Sequence, residues 1–286
     1  MARIGFVGNF FLDKVKWLSG TGKKILETNN ELAFEMNQRH EDAKTLDAQA
    51  RAKKEFEKRL SGFTNDIVFS LHVPWEPSER YDLLTPGADV SDIIEWIRFA
   101  AKIGAATINM HMSGDEGVDV GAWKKTQQNG KDYYLDIVGN NLQGIVAECE
   151  KRGVRLTLEA LMTNYFVESA GRYRIFYAGN FPGDFEYVRK KFGYKFGVTP
   201  DVCHLVMDWI NTQKKIDYGF YPEDALWKNY KSLPEFLSAW LNKANPIYEA
   251  HISDCAGLRH PSQHGIVLGD GLLGDEGLKA VIGALP

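Results

Sequence analysis

Short apolar runs rich in β-branched and aromatic residues recur along the chain, each followed by a longer stretch with helical spacing. This alternation is the pattern of βα units, in which parallel strands are covered by the helices that connect them. Strands are expected at Ile4–Gly8, Glu31–Glu35, Asp66–Val73, Ala106–His111, Val154–Leu161, Tyr194–Pro200 and Ile247–Ser253. Helices are expected at Glu41–Leu60, Asp92–Ile103, Leu135–Arg152, Leu233–Asn242 and Asp275–Ile282, the first of them charged enough to be a solvated outer helix. Gly104 and Gly153 each stand between a helix and the next strand, as a left-handed helix stop requires. Eight such units would close a TIM (β/α)8-type barrel, and 286 residues suit one. Seven strands are visible and the eighth is missing at the C-terminus, so the barrel is expected to be open, completed by another segment, or truncated. No repeat or Pro/Ser-rich linker divides the chain, so residues 1–286 are read as a single domain of the α/β class.

With 44% apolar and 25% charged residues the chain has the composition of a globular protein, which excludes disorder and fibre. The net charge of −4 argues against affinity built on neutralising many phosphates, though it leaves room for a local basic groove. Cys149, Cys203 and Cys255 are too scattered for a disulfide framework and form no CxxC pair. A cytoplasmic location is the expectation, since there is no signal-like N-terminus and no apolar run near the ~18 residues of a membrane span.

The chemistry concentrates at strand ends. His72, His111, His204, His251 and His264 lie at or just beyond the C-terminal ends of expected strands or in the tail that follows, while His40 and His260 read as surface or loop residues. On a barrel this is the face where active sites are built. Glu159 and Asp201 share the location, and a carboxylate in an apolar strand is costly unless it is paired or bound to a cation. Singly, each histidine or carboxylate could be a hydrogen-bonded structural residue. Together they form the mixed oxygen and nitrogen donor set that suits Zn, Mn, Co or Mg. The expected ligands of a divalent metal are Glu159, Asp201 and His251, with His72, His111 and His264 as further candidates. The glycines of His264–Gly271 lack the context of a phosphate loop and read as a turn. Aromatic clusters at Tyr165–Phe181 and Trp209–Tyr230 could wall a sugar ring, form a lid or a homo-oligomer interface, or simply pack.

From Asp66 to Gly274 the ordered motifs LHVPW, GAATINMHMSG, LTLEAL, PDVCH and EAHISDCAGLRHPSQHGIVLGDGLLG resemble the xylose-isomerase-like, or AP-endonuclease-family-2, TIM-barrel superfamily. The isomerase and epimerase branch implies a carbohydrate enzyme that moves a proton through a metal-bound enediolate of a sugar or sugar phosphate. In that branch Glu159, Asp201 and His251 hold the metal, Glu159 also serves as base, and His204 contacts substrate. The branch's final glutamate ligand, which would return the proton, has no counterpart. The endonuclease IV branch implies zinc-dependent cleavage of abasic DNA, with His72, His111 and Glu159 on one ion, Glu159, Asp201 and His251 on a second, and His204 with His264 on a third. Against it, Ser262 stands where that branch has an aspartate, and the run Trp75–Glu79 is acidic. A third reading is a catalytically silent barrel that binds a sugar or a partner subunit.

Overall fold

The structure is a computed structural model that describes residues 5–8, 31–36, 51, 54, 66–73, 83–112, 118–119, 130–176, 178–213, 230–260 and 262–285. In chain order its elements are β1 (Gly5–Gly8), β2 (Glu31–Met36), β3 (Asp66–His72), α1 (Ser91–Lys102), β4 (Ala105–His111), β5 (Val118–Asp119), α2 (Gly130–Arg152), β6 (Arg155–Ala160), β7 (Asn164–Val167), β8 (Arg172–Ile175), α3 (Pro182–Phe192), β9 (Gly197–Pro200), α4 (Val202–Gln213), α5 (Leu233–Lys243), β10 (Arg259–His260) and α6 (Gly274–Ala284). Of the expected helix Glu41–Leu60, only Arg51 and Lys54 fall within the described residues, and both are helical and exposed.

Strands β1, β2, β3, β4, β6 and β9 form one six-stranded sheet in that order, parallel throughout. The expected seventh strand is reduced to two isolated parallel bridges to the β9 segment, Val198 to Ile247 and Asp201 to His251. Pro246 has no N–H to give to a ladder, which limits pairing at its start. Among the described residues no eighth strand follows.

Alternation along the strands sorts the side chains. Phe69, Leu71, Ile108, Met110, Leu156, Leu158 and Val198 belong to the buried apolar core that the helices cover. Their neighbours Ser70, His72, Thr107, Asn109, Thr157, Glu159, Thr199 and Asp201 are also buried but polar, and they occupy the opposite, inner face. Helix α1 buries Ile93, Trp96, Ile97 and Ala100, a spacing of three and four that gives one apolar stripe. Each such side chain contributes about 1.5–3 kcal/mol on burial. On α2 the stripe is interrupted by buried Asn141, whose amide donates to the carbonyls of Leu83 and Thr85 at 2.8 Å each. Gly104 and Gly153 adopt φ of +72° and +68°, as expected of glycines between helix and strand.

Two helices and a small sheet were not expected. Pro182 opens α3, and Asp201 opens α4 by accepting from the His204 amide at 3.2 Å. The first part of the Tyr165–Phe181 aromatic cluster folds into the antiparallel hairpin β7–β8, extended by β5 and β10 into a four-stranded sheet. Tyr165 and Phe176 stack there with ring centroids 5.7 Å apart, and both are buried. Trp209 and Phe236 likewise stack between α4 and α5. These aromatic groups pack; Tyr218, Phe220, Tyr221 and Trp227 lie outside the described residues.

Candidate metal centre

Strand register brings the polar inner face to a focus at Glu159. In β3, β4 and β6 the pairings set His72 beside Asn109 and His111 beside Glu159. Asn109 Nδ2 donates to Glu159 Oε2 at 2.7 Å. His72 Nε2 stands 3.0 Å and His251 Nδ1 3.2 Å from the same oxygen, while His111 Nε2 is 3.5 Å from Oε1. Glu159 is 3% exposed, so almost all of its stabilisation comes from these neighbours.

Asp201 joins this group through the backbone. The His251 amide donates to the Pro200 carbonyl at 3.0 Å and the Val202 amide to the His251 carbonyl at 2.9 Å, which fixes Asp201 beside His251. With Oδ1 capping α4, Oδ2 faces both His251 Nδ1 and His204 Nε2 at 3.9 Å. His204 Nδ1 donates to the Ala160 carbonyl at 2.7 Å, so Nε2 carries the lone pair of the neutral ring, and it meets His264 Nε2 at 2.9 Å.

All seven expected site residues therefore converge. Candidate ligand atoms lie within 4.8 Å of one another in four groups: His72, His111 and Glu159; Glu159, Asp201 and His251; Asp201, His204 and His264; and Glu35, Glu249 and His251. Glu159 joins the first group to the second, and Asp201 joins the second to the third. His260 closes β10 and belongs to none of them.

The fourth group was not foreseen, and it brings two further carboxylates, Glu35 and Glu249, close to His251. Glu35 pairs in register with Ser70, whose hydroxyl donates to Glu249 Oε1 at 2.6 Å. His251 Nε2 lies 2.9 Å from Glu35 Oε2, an ion-pair distance without the alignment of a hydrogen bond. The signal was present: Glu35 ends an expected strand, and Glu249 precedes His251 by the two residues that put both on one face.

Electrostatically the centre calls for positive charge. Burial pushes the Glu159 carboxyl upward, but His251 and His111 outweigh it and hold the group well below the usual carboxylate range. Burial likewise opposes protonation of His251, yet Glu35 and Glu159 hold that imidazole well above its ordinary value. His72 is raised by Glu159 against the same desolvation. At Glu249 burial, with Glu35 nearby, pushes the carboxyl up to about 7. The donor set fits a divalent cation of the Zn, Mn or Co type: imidazole nitrogens alternate with carboxylate oxygens, and buried Glu35 Oε1 and Glu249 Oε2 have no hydrogen-bond partner.

The turn at 264–271 is not a phosphate cradle. Its Gly269 and Gly271 amides both donate to Asp254 Oδ2 at 3.1 Å, so they are spent within the chain.

Residues 30–285 match the family described as xylose isomerase-like TIM barrel. The chain belongs to that family. No curated protein matches it in sequence. Among solved structures this xylose isomerase-like barrel is similar to a D-tagatose 3-epimerase-like protein, with TM-score 0.56, 15% identity, and coverage of 99% of this chain and 86% of the other. It is also similar to a 3-keto-D-glucoside 4-epimerase from E. coli, with TM-score 0.54, 14% identity, and coverage of 89% and 80%. A D-psicose 3-epimerase gives TM-score 0.51, 13% identity, and coverage of 88% and 73%. At these identities the likeness establishes the fold. Among the described residues no helix is long and apolar enough to cross a membrane.

Proposed function

We propose that this barrel is a metal-dependent sugar or sugar-phosphate isomerase or epimerase. The observation that carries the reading is the group Glu159, Asp201 and His251, one donor from each of three successive strand ends on the face where barrels build active sites. A divalent cation held by these residues would polarise a sugar carbonyl and the hydroxyl beside it. Glu159, kept ionised by its imidazole neighbours, is the acceptor for the proton on the adjacent carbon. His204, fixed through Nδ1 on the Ala160 carbonyl, turns Nε2 toward the centre and orients a substrate oxygen. Glu35 meets His251 at the ring nitrogen opposite the one that faces Glu159, which suits support of the centre better than contact with substrate.

One observation favours a second reading. The groups around His72 and His264 are joined to the central group by shared carboxylates, the arrangement a cluster of two or three zinc ions needs for phosphodiester cleavage in abasic DNA. Ser262 tells against a complete third site, because it supplies no carboxylate beside His264.

Metal content per chain, measured on protein purified without chelator, together with turnover of ketoses, aldoses and their phosphates, tests these readings. About one ion and interconversion of a sugar support the isomerase. Two or three zinc ions with incision of abasic DNA replace it with the phosphodiesterase. No metal uptake after addition of Mn, Co or Zn rejects both and leaves a silent sugar- or partner-binding barrel.

A further inference from the structure

Glu35 is 3% exposed, and neither of its carboxylate oxygens has an aligned hydrogen-bond donor. A buried carboxylate left so is costly unless it serves a charged or polar neighbour. The neighbour at hand is His251, whose Nε2 lies 2.9 Å from Glu35 Oε2. The other ring nitrogen, Nδ1, faces Glu159 Oε2 at 3.2 Å and Asp201 Oδ2 at 3.9 Å. One imidazole thus stands between a lone carboxylate on β2 and the central donor group. A neutral histidine carries its proton on one nitrogen and its lone pair on the other, and the group facing the first decides which is which.

We infer that Glu35 is a positioning residue for the metal centre: it holds the His251 proton on Nε2 and thereby presents the Nδ1 lone pair to a divalent cation shared with Glu159 and Asp201. The inference rests on the metal-centre reading and adds to it a residue that no strand-end or tail motif of the sequence singled out. Glu249 supplies the contrast. It lies near the same imidazole, but its Oε1 is engaged by the Ser70 hydroxyl, whereas neither oxygen of Glu35 has a donor other than His251 at hand. The competing role for these residues is a separate cation pocket of Glu35, Glu249 and His251, whose donor atoms also lie within 4.8 Å. That role needs the Nε2 lone pair, which the positioning role occupies with a proton.

Zinc affinity and stoichiometry of the full chain, by competition with a chromophoric chelator, separate the possibilities. Glu35→Gln should bind zinc about 10–100-fold more weakly with unchanged stoichiometry. Glu249→Gln, the matching amide substitution next door, should weaken it by less than about threefold. On a His251→Gln background, Glu35→Gln should have almost no further effect, an outcome that general loss of stability would not give. Glu35→Asp keeps the charge and provides a second variant, expected between wild type and Glu35→Gln. Equal affinity of Glu35→Gln and wild type overturns the inference. So does a loss of one zinc per chain in both Glu35→Gln and Glu249→Gln, which assigns the separate pocket instead. Wild-type protein that takes up no zinc rejects the metal centre itself.

Discussion

The Asp254 carboxylate is seated directly against Gly271: a Cβ at 271 would stand 2.3 Å from Asp254 Oδ1 and 2.6 Å from the Cys255 carbonyl oxygen. The same carboxylate accepts from the amides of Cys255, Gly269, Gly271 and Leu273 at 2.7–3.1 Å. It therefore ties down both ends of the segment that carries His264. Gly271→Ala should destabilise the fold by about 1–3 kcal/mol, because the backbone contact cannot move aside as a flexible side chain could. Burial raises the Asp254 carboxyl, but the four amides outweigh it and hold the group below its ordinary 3.8. Its contribution is then complete above about pH 4 and is lost as pH falls through the depressed folded value. Denaturant unfolding from pH 7 down to pH 3 should show Asp254→Asn closing its gap with wild type only at the acid end. A gap that does not change with pH would contradict the assignment.

Asp208 behaves with the opposite sign. Its Oδ1 accepts from the Thr163 amide and hydroxyl at 2.7 and 2.6 Å, but burial, the larger effect, pushes the carboxyl up to about 7 from 3.8. An acid whose folded value is raised favours the protonated fold, so the penalty grows as pH rises from about 4 to about 7 and is constant above. Asp208→Asn mimics the neutral acid. It should gain about 2–3 kcal/mol more over wild type at pH 8 than at pH 5. Equal gains in urea unfolding at the two pH values would refute the shift.

Much of this was legible in the sequence, and the exceptions have physical causes. The strands of the large sheet announced themselves as short runs rich in β-branched and aromatic residues, as in Ile67–Phe69, with polar residues such as Ser70 and Asn109 alternating where the strand turns a face to the barrel interior. Helix α4 was hidden because Val202–His204 was read for its chemistry, although Asp201 is an ordinary helix cap. The β7–β8 hairpin was hidden because its aromatic residues suggested a loop for ligand binding, while Gly171, with φ of +61°, marked the turn. The strand-end residues converge as their positions implied, since strand parity alone decides which side chains share a face. Glu35 escaped notice because its strand-end position was legible but the imidazole it faces across the barrel was not.

Lys131 and Asp184 form an ion pair at 2.5 Å between a half-buried lysine and a buried carboxylate, with the ammonium 3.9 Å from the centre of the Phe181 ring. The partners are not equivalent. Asp184 Oδ2 also accepts from the amides of Gly179, Asn180 and Phe181, whereas burial holds the Lys131 ammonium below its ordinary value, with Asp184 the main opposing charge. Asp184→Ala should cost about 2–4 kcal/mol, since it strands a half-buried cation and releases three amides. Lys131→Met leaves the carboxylate with its amide donors and should cost clearly less. The order of the two denaturation midpoints checks this, and a larger loss in Lys131→Met would reverse the assignment of the dependent partner.

Within the metal centre, His72 and Asp201 should differ in kind. His72 belongs only to the group with His111 and Glu159, whereas Asp201 is shared by the central group and by the group with His204 and His264. Removing Asp201 therefore takes a donor from two groups at once. Asp201→Asn keeps its size and its capacity to cap α4 through Oδ1, so the fold should survive with the usual helical circular dichroism while bound metal falls to a small fraction of wild type. His72→Ala should leave the central ion in place. If the centre holds one ion, its stoichiometry stays near one and only affinity drops, because Glu159 loses a neighbour 3.0 Å away. If it holds two or three zinc ions, His72→Ala loses one of them and Asp201→Asn loses more. Elemental analysis of the two variants beside wild type distinguishes these outcomes, and full metal content with full turnover in Asp201→Asn would remove Asp201 from the ligand set.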